Sequence, residues 1–509
     1  MSFFHSLLSQ VGGTADTTIN GEQFFLVVGD SIAQGSNNSS GPGPTPTAGT
    51  VKQYNGSAIV DIGSADVYNV VSGGGTMMPK MGIDYNAESG KIPMFISCGS
   101  QGSNFENETG DGGNNWSSAG TLRGTTEADV SAALALKGLT KLKGICVILG
   151  VNSARGTEDL TTVVYPAIDA FFTWLTSTYP GVPIMVSQVG RSEVQSHDAR
   201  LYGVRNRILS NAFSTSDVHM VFNMASWINT SGYGVDNLHP NQVGQDNMGA
   251  SFARWLRADN SSYSKWGRSV IASLYDNPST TRRGLINTFI ASQVTSGNFA
   301  LLEHLTVYKT TTQDNCFSDF AFLGYLFNNT SIVFTANDSL SSNGTSNHYA
   351  ITFIGSVNNA RASQNDFIVG VKCKVNSTAQ GTVSCLFGGS DGSDVLGTLQ
   401  NSTPALTYRS SDATINTNTT DLKYANDSMY GVARNGTTKA LIKNASVLAS
   451  VTQASTGTVS VLPTVGAFNN NGTIQNRINA TYEYSFAAKY STFDLSGFIT
   501  DIEALLDNW

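Results

Sequence analysis

The stretch FFLVVGDSIAQG, Phe24–Gly35, decides how the rest of the chain is read. The apolar run from Phe24 to Val28 is too short for a helix and suits a strand buried on both faces. It stops at Gly29, and Asp30 and Ser31 come next. A serine just past a buried strand is held on rigid scaffold at a sheet edge, where α/β folds place reacting groups. Taken alone, a serine after glycine equally suits a turn or a helix cap. The residues beyond the ends of the other strands decide between these readings.

Residues 23–258 alternate between apolar strands and amphipathic helices. Strands are expected at Phe24–Val28, Pro93–Ser97, Gly144–Leu149, Pro183–Gln188 and Val218–Asn223. Thr126-Glu127-Ala128-Asp129 reads as an N-terminal cap before a helix. Further helices are expected at Glu158–Tyr179, His197–Ser214 and Asn241–Leu256. This alternation predicts an α/β domain with a parallel sheet and helices on both faces. Ser36–Ile92 is irregular, with a loop-like opening and one hairpin strand expected at Ser57–Ile62. Leaving directly from the serine, it is expected to fold over the sheet edge and wall a pocket.

Four blocks fall at or beyond strand ends: Gly29-Asp30-Ser31, the run from Cys98 to Asn104, Gly150-Val151-Asn152-Ser153, and Asp236-Asn237-Leu238-His239-Pro240. In a parallel sheet such turns open on one carboxyl edge. Together they supply what acyl transfer needs. Ser31 is a candidate nucleophile once a base accepts its proton. His239 is the candidate base, since imidazole titrates near neutral pH. Asp236, three residues earlier, can hold the other ring nitrogen. The Ser31 N–H, the Gly102 N–H and the Asn152 side-chain amide form a candidate oxyanion hole. Gly99 competes with Gly102 for the glycine role, and the turn Gly102-Ser103-Asn104 favours Gly102.

In order, content and spacing these blocks resemble the SGNH (GDSL-type) hydrolase superfamily, over about Phe24 to Leu256. The resemblance implies a flavodoxin-like sheet, a Ser31–His239–Asp236 triad, and Gly102 and Asn152 in the oxyanion hole. The excursion after the first block, including VKQYNGSAIVDIG, resembles the carbohydrate acetylesterase branch (sialate O-acetylesterase-like). The third block departs from the family pattern Gly-x-Asn-Asp: Ser153 replaces the aspartate, which puts the rigidity of that loop in question.

Composition narrows the partners. Charged residues make up 13 % of the 509, and the formal net charge is −8 with no basic run. Nucleic acid is therefore not an expected partner. No apolar stretch approaches the roughly 20 residues a membrane-spanning helix needs. The first residues, MSFFHSLLSQVGG, lack a basic n-region and cleavage site, so no signal peptide is expected. Five cysteines at irregular spacing give neither a disulfide framework nor a zinc pattern, and no metal or cofactor is expected. Cys98 and Cys146 read as core thiols, and Cys373 and Cys385 as a pair that could bridge two strands. Sequons such as Asn55, Asn107 and Asn115 are expected by chance in so Asn-rich a chain.

After about Asn260 the alternation ends. One more helix is expected at 282–297, then a strand at Leu301–Tyr308. From Ser331 to Tyr490 short strands separated by polar turns predict an all-β sandwich or jelly roll, closed by a helix at Leu495–Leu506. The domains expected are an arm at 1–22, the hydrolase domain at 23–258, a helical connector at 259–300 and the β-sandwich at 301–509. This half resembles the concanavalin A-like, lectin-type modules of bacteriophage tail and receptor-binding proteins. The resemblance implies a virion or extracellular protein that binds glycan or other tail proteins, with homotrimeric assembly left open. Gly388-Gly389-Ser390-Asp391-Gly392 matches the nucleophile elbow G-x-S-x-G but reads as a loop, because no helix comes after it. His197 and His219 read as helix-start and strand residues, His304 as one without a partner pattern, and Trp116 and Arg191 as pocket-wall candidates. The expected function is a serine esterase that removes O-acetyl groups from an acetylated polysaccharide. The alternative is a catalytically inactive glycan-binding or structural tail protein.

Overall fold

The computed structural model describes residues 21–35, 43–63, 75–108, 112–190, 197–224, 238–257, 261–274, 277–308 and, with interruptions, 319–508. The chain separates into two compact units. One comprises Met1–Val189, Ser210–Phe222 and Ser231–Ser261, the other Gly190–Leu209, Asn223–Thr230 and Ser262–Trp509.

The first unit is built on a seven-stranded sheet in the order β3-β2-β4-β1-β5-β6-β7. Its strands are β1 (Glu22–Gly29), β2 (Lys52–Tyr54), β3 (Ile59–Asp61), β4 (Ile92–Gly99), β5 (Gly144–Ile148), β6 (Ile184–Gln188) and β7 (Val218–Asn223). β1 pairs in parallel with β4 and β5, β5 with β6, and β2 with β4, while β3 runs antiparallel to β2. The sheet is thus mostly parallel. Every residue of β1, β5 and β6 is buried, which is why these strands read as continuous apolar runs rather than alternating ones.

The helices up to residue 255 are α1 (Met78–Ser89), α2 (Leu122–Lys137), α3 (Val151–Arg155), α4 (Tyr165–Thr178), α5 (Asp198–Ser214), which the second unit claims as far as Leu209, and α6 (Gln242–Trp255). α2 begins four residues before the expected cap at Thr126. The residues expected to cap it serve tertiary contacts instead. Thr126 is buried, and Glu127 accepts a hydrogen bond from Trp174 Nε1 at 2.7 Å. A π-helical turn, Leu160–Val164, leads into α4, with Asp159 capping it through Thr162 N.

In the second unit α7 (Lys265–Ser273) and α8 (Thr280–Thr295) precede β8 (Leu302–Val307). β8 joins the long strand Asn479–Ala488 in an eight-stranded antiparallel sheet. A second, nine-stranded sheet includes Ser384–Ser390, Val395–Gln400 and Leu406–Asp412. Val369, Val371, Tyr430 and Leu441 of the first sheet share one buried cluster with Leu386, Phe387, Leu396 and Tyr408 of the second. The two sheets therefore enclose a common core. The terminal helix Leu495–Asp507 sets Phe498 against Phe486 of the eight-stranded sheet and Phe289 of α8. Asp501 on that helix accepts from Ser292 and Gln293 of α8 at 2.6 Å. The helical segment before β8 is thus packed within the same unit as the β-sheets.

Cys373 is a free, buried thiol on Asp366–Val375, in a different sheet from the strand that carries Cys385. Gly388, Gly389 and Ser390 lie in a strand rather than a loop, and the next described element is another strand. No described helix is long and apolar enough to cross a membrane.

Candidate active site

Register places the site. Gly29 at the end of β1 pairs with Gly99 of β4 on one side and Ile148 of β5 on the other. Three strands therefore finish at one level, and the loops after them start side by side. Close packing there excludes a side chain at position 29: a Cβ would lie 2.0 Å from the Ile148 carbonyl oxygen. The main chain is tied across this edge. Asp30 N donates to Ile148 O at 3.0 Å, and Ser100 N donates to Gly29 O at 2.9 Å.

Ser31 Oγ lies 2.8 Å from His239 Nε2, although 208 residues separate them. Ser31 is 5 % exposed and His239 7 %, so both are sheltered yet reach solvent. His239 immediately precedes Pro240 and Asn241, and the Asn241 side chain caps α6 by accepting from Gly244 N at 3.1 Å. Gln245, one turn into α6, donates to Ile32 O at 2.9 Å and so fastens the helix to the serine turn. Asp236, expected to hold the other ring nitrogen, lies outside the described residues, as does Arg191.

Three donors expected around Ser31 remain available. Among the described residues the main-chain N–H groups of Ser31 and Gly102 meet no acceptor in the protein. Gly102 has φ +74°, and a Cβ there would meet nothing within 4 Å. Its N–H thus stands in an open, left-handed turn of the kind glycine adopts readily. Gly99, its rival, is the last residue of β4 and lies in the ladder against Gly29. Asn152 spends one amide hydrogen on Ser103 O at 3.1 Å and keeps the second.

Ser153, the departure in the third block, is fully buried and bonded twice. Its Oγ accepts from Phe105 N at 3.1 Å and donates to Glu106 Oε2 at 2.7 Å. Loop rigidity is therefore supplied by a partner that reading position 153 alone does not reveal. Asp30 is buried beneath the serine turn. Burial pushes its carboxyl up to about 6, against the main-chain N–H of Ile32, the charge of His239, and the N–H groups of Gly150 and Val151. One observed bond is Ile32 N to Asp30 Oδ1 at 3.0 Å.

Trp116 does not wall a pocket. It is wholly buried against Phe171 and Trp174, with Nε1 donating to Ser103 Oγ at 3.1 Å. Ser103 Oγ in turn lies 3.2 Å from Gly29 O, so the indole supports the second block from below. His219 is a strand residue packed 4.5 Å from the Trp255 ring, and His197 stands just before α5. Cys98 is a core thiol that burial pushes up to about 12, which removes it as a nucleophile near neutral pH.

No family model matches the chain, and no curated protein matches it. Solved structures align only in part. A Trypanosoma rangeli sialidase in complex with sialic acid aligns at 9 % identity and a TM-score of 0.33, over 44 % of this chain and 39 % of that one. A protein from Arabidopsis thaliana aligns at 15 % identity and a TM-score of 0.34, over 46 % of this chain and 96 % of that one. The chain thus spans about two fifths of the length of the sialidases it matches.

Proposed function

We propose that the first unit is a serine esterase of the SGNH type that removes O-acetyl groups from a polysaccharide. The observation that carries this reading is the 2.8 Å approach of Ser31 Oγ to His239 Nε2 beside unpartnered N–H donors. The strand order supports it: β4-β1-β5-β6-β7, counted in sequence, is the order 2-1-3-4-5 of flavodoxin-like sheets. In that order the direction of winding reverses beside β1, and Ser31 and Asn152 come after the two strands that flank the crevice.

The chemistry is set by the placement. His239 Nε2 takes the hydroxyl proton as Ser31 Oγ attacks the acetyl carbonyl carbon. The resulting oxyanion accepts hydrogen bonds from Ser31 N–H, Gly102 N–H and Asn152 Nδ2. The tetrahedral adduct collapses, the C–O bond to the sugar breaks, and the sugar oxygen leaves with the proton from His239. Water, deprotonated by His239, then attacks the acetyl-Ser31 carbonyl, and collapse returns acetate and free serine. Asp236 is assigned to the imidazolium. These steps need no cofactor.

For the second unit we propose a concanavalin A-like jelly roll that docks glycan or assembles with other virion tail proteins, with a homotrimer as one form. Two sheets around one core support this. The function is tested by acetate release from acetylated polysaccharides and aryl acetates, comparing wild type with Ser31→Ala. Equal rates, or no release by wild type from any acetyl ester, would contradict it.

A further inference from the structure

We infer that Glu106 is a positioning residue for the oxyanion donors, acting through Ser153; this deepens the esterase reading above and rests on it. Three bonds join α3 to the loop after Gly102. Asn152 Nδ2 donates to Ser103 O at 3.1 Å, Phe105 N donates to Ser153 Oγ at 3.1 Å, and Ser153 Oγ donates to Glu106 Oε2 at 2.7 Å. Gly102 and Asn152, the two donors that come from different strands, flank this seam.

A serine hydroxyl has one proton and rotates freely unless something directs it. The Glu106 carboxylate directs it. Its Oε2 accepts the Ser153 proton and leaves a lone pair of Oγ for Phe105 N. Ser153 is fully buried and Glu106 only 2 % exposed, so water cannot easily take over either role. The seam therefore fixes how far the Asn152 amide stands from the Gly102 turn. The carboxyl group expected at position 153 is present, set across the seam on residue 106.

This makes a sign-specific prediction. Ser153→Asp alone would press two buried carboxylates together and damage the site. Glu106→Gln combined with Ser153→Asp moves the single carboxyl group to position 153, where the glutamine amide donates to it, and restores the seam.

The test measures kcat and KM on an aryl acetate, Tm, and the rate at which Ser31 is labelled by a fluorophosphonate, on the full chain. Glu106→Ala and Ser153→Asp should lower kcat by about 10- to 100-fold with KM changed by less than about threefold, since misplacement of about 1 Å costs on that scale. The double variant should recover at least about tenfold of the loss, and Glu106→Gln alone should fall in between. Wild-type kcat in a folded Glu106→Ala, or a double variant no better than Ser153→Asp at equal Tm, overturns the inference. If Glu106→Ala does not fold, the comparison of Ser153→Asp with the double variant decides. Wild type that neither hydrolyses nor labels instead overturns the esterase reading, and the positioning role with it.

Discussion

Ser31 and His239 in the first unit meet at 2.8 Å, and His304 and Ser485 in the second meet at 3.0 Å. The second pair even has a carboxylate: Asp319 Oδ2 lies 3.6 Å from His304 Nδ1. The difference lies in placement. Ser31 stands in a turn past a strand end, and its main-chain N–H and that of Gly102 have no acceptor among the described residues. Ser485 and His304 face each other from two paired strands, both fully buried, and the Tyr308 hydroxyl already sits 2.5 Å from Ser485 Oγ. Asp319 is occupied too, accepting from Leu305 N and Ala321 N at 2.9 Å. The first arrangement leaves the Ser31 and Gly102 main-chain N–H groups without an acceptor among the described residues, as the proposed oxyanion hole requires. The second is a fully buried network strung across two paired strands. Serine, histidine and aspartate within reach of each other also occur inside a buried sheet, so proximity alone does not mark a site.

Four predictions can break this contrast. Ser31→Ala should lower ester hydrolysis by at least about 10⁴-fold, as triad knock-outs do, whereas Ser485→Ala should leave kcat and KM unchanged. Comparable losses in both would erase the distinction. Next, Asn152→Ala should lower kcat by about 10²–10³ with little change in KM, because an oxyanion donor acts mainly in the transition state. A loss confined to KM would place Asn152 in ground-state binding instead.

Ser485→Ala should have its effect on stability. It leaves the His304 and Tyr308 groups without their shared partner, which costs about 1–3 kcal/mol, read by urea unfolding. No change in stability would show that the network is not structural. The last prediction concerns Asp30 and reads only the pH dependence of stability. Its folded-state value of about 6 lies above the ordinary 3.8, so the folded protein holds this proton more tightly than the unfolded chain. That contribution is present at low pH and is lost as pH rises from about 4 through 6. Asp30→Asn cannot titrate. Its stability relative to wild type should therefore rise with pH, by about 2 to 3 kcal/mol between pH 4 and 7. A difference constant across that range would mean the carboxyl is not held protonated by burial.

The parallel strands of the first unit are legible in the sequence because burial on both faces leaves continuous apolar runs. β7 matches its expected span to the residue, and β1, β4, β5 and β6 match within two residues at each end. Ser31, His239, Gly102 and Asn152 are legible because each comes after such a strand or precedes a capped helix. α1 is not: Gly82 interrupts its apolar pattern, and only Pro79 at its start signals a helix. α7 escapes because it is short, though Ser264 caps it through Gly267 N at 3.1 Å. Other differences come from contacts distant in sequence. Nothing near Trp116 shows that Phe171 and Trp174 will cover it. Nothing near His304 announces Ser485, 181 residues on. Glu106 is 47 residues from Ser153, and no local pattern links a buried glutamate to a serine on another loop.

On the proposed esterase reading, placement at the strand ends, not residue identity, makes Ser31 the reacting serine. The most direct test is to treat the intact protein with a fluorophosphonate, which forms a stable adduct only with an activated serine, and to locate the adduct by mass spectrometry of the digested chain. A single adduct on Ser31, absent from Ser31→Ala and from His239→Ala, is the predicted result. No adduct on wild type, or an adduct on Ser485 or any other serine that persists in Ser31→Ala, would contradict it.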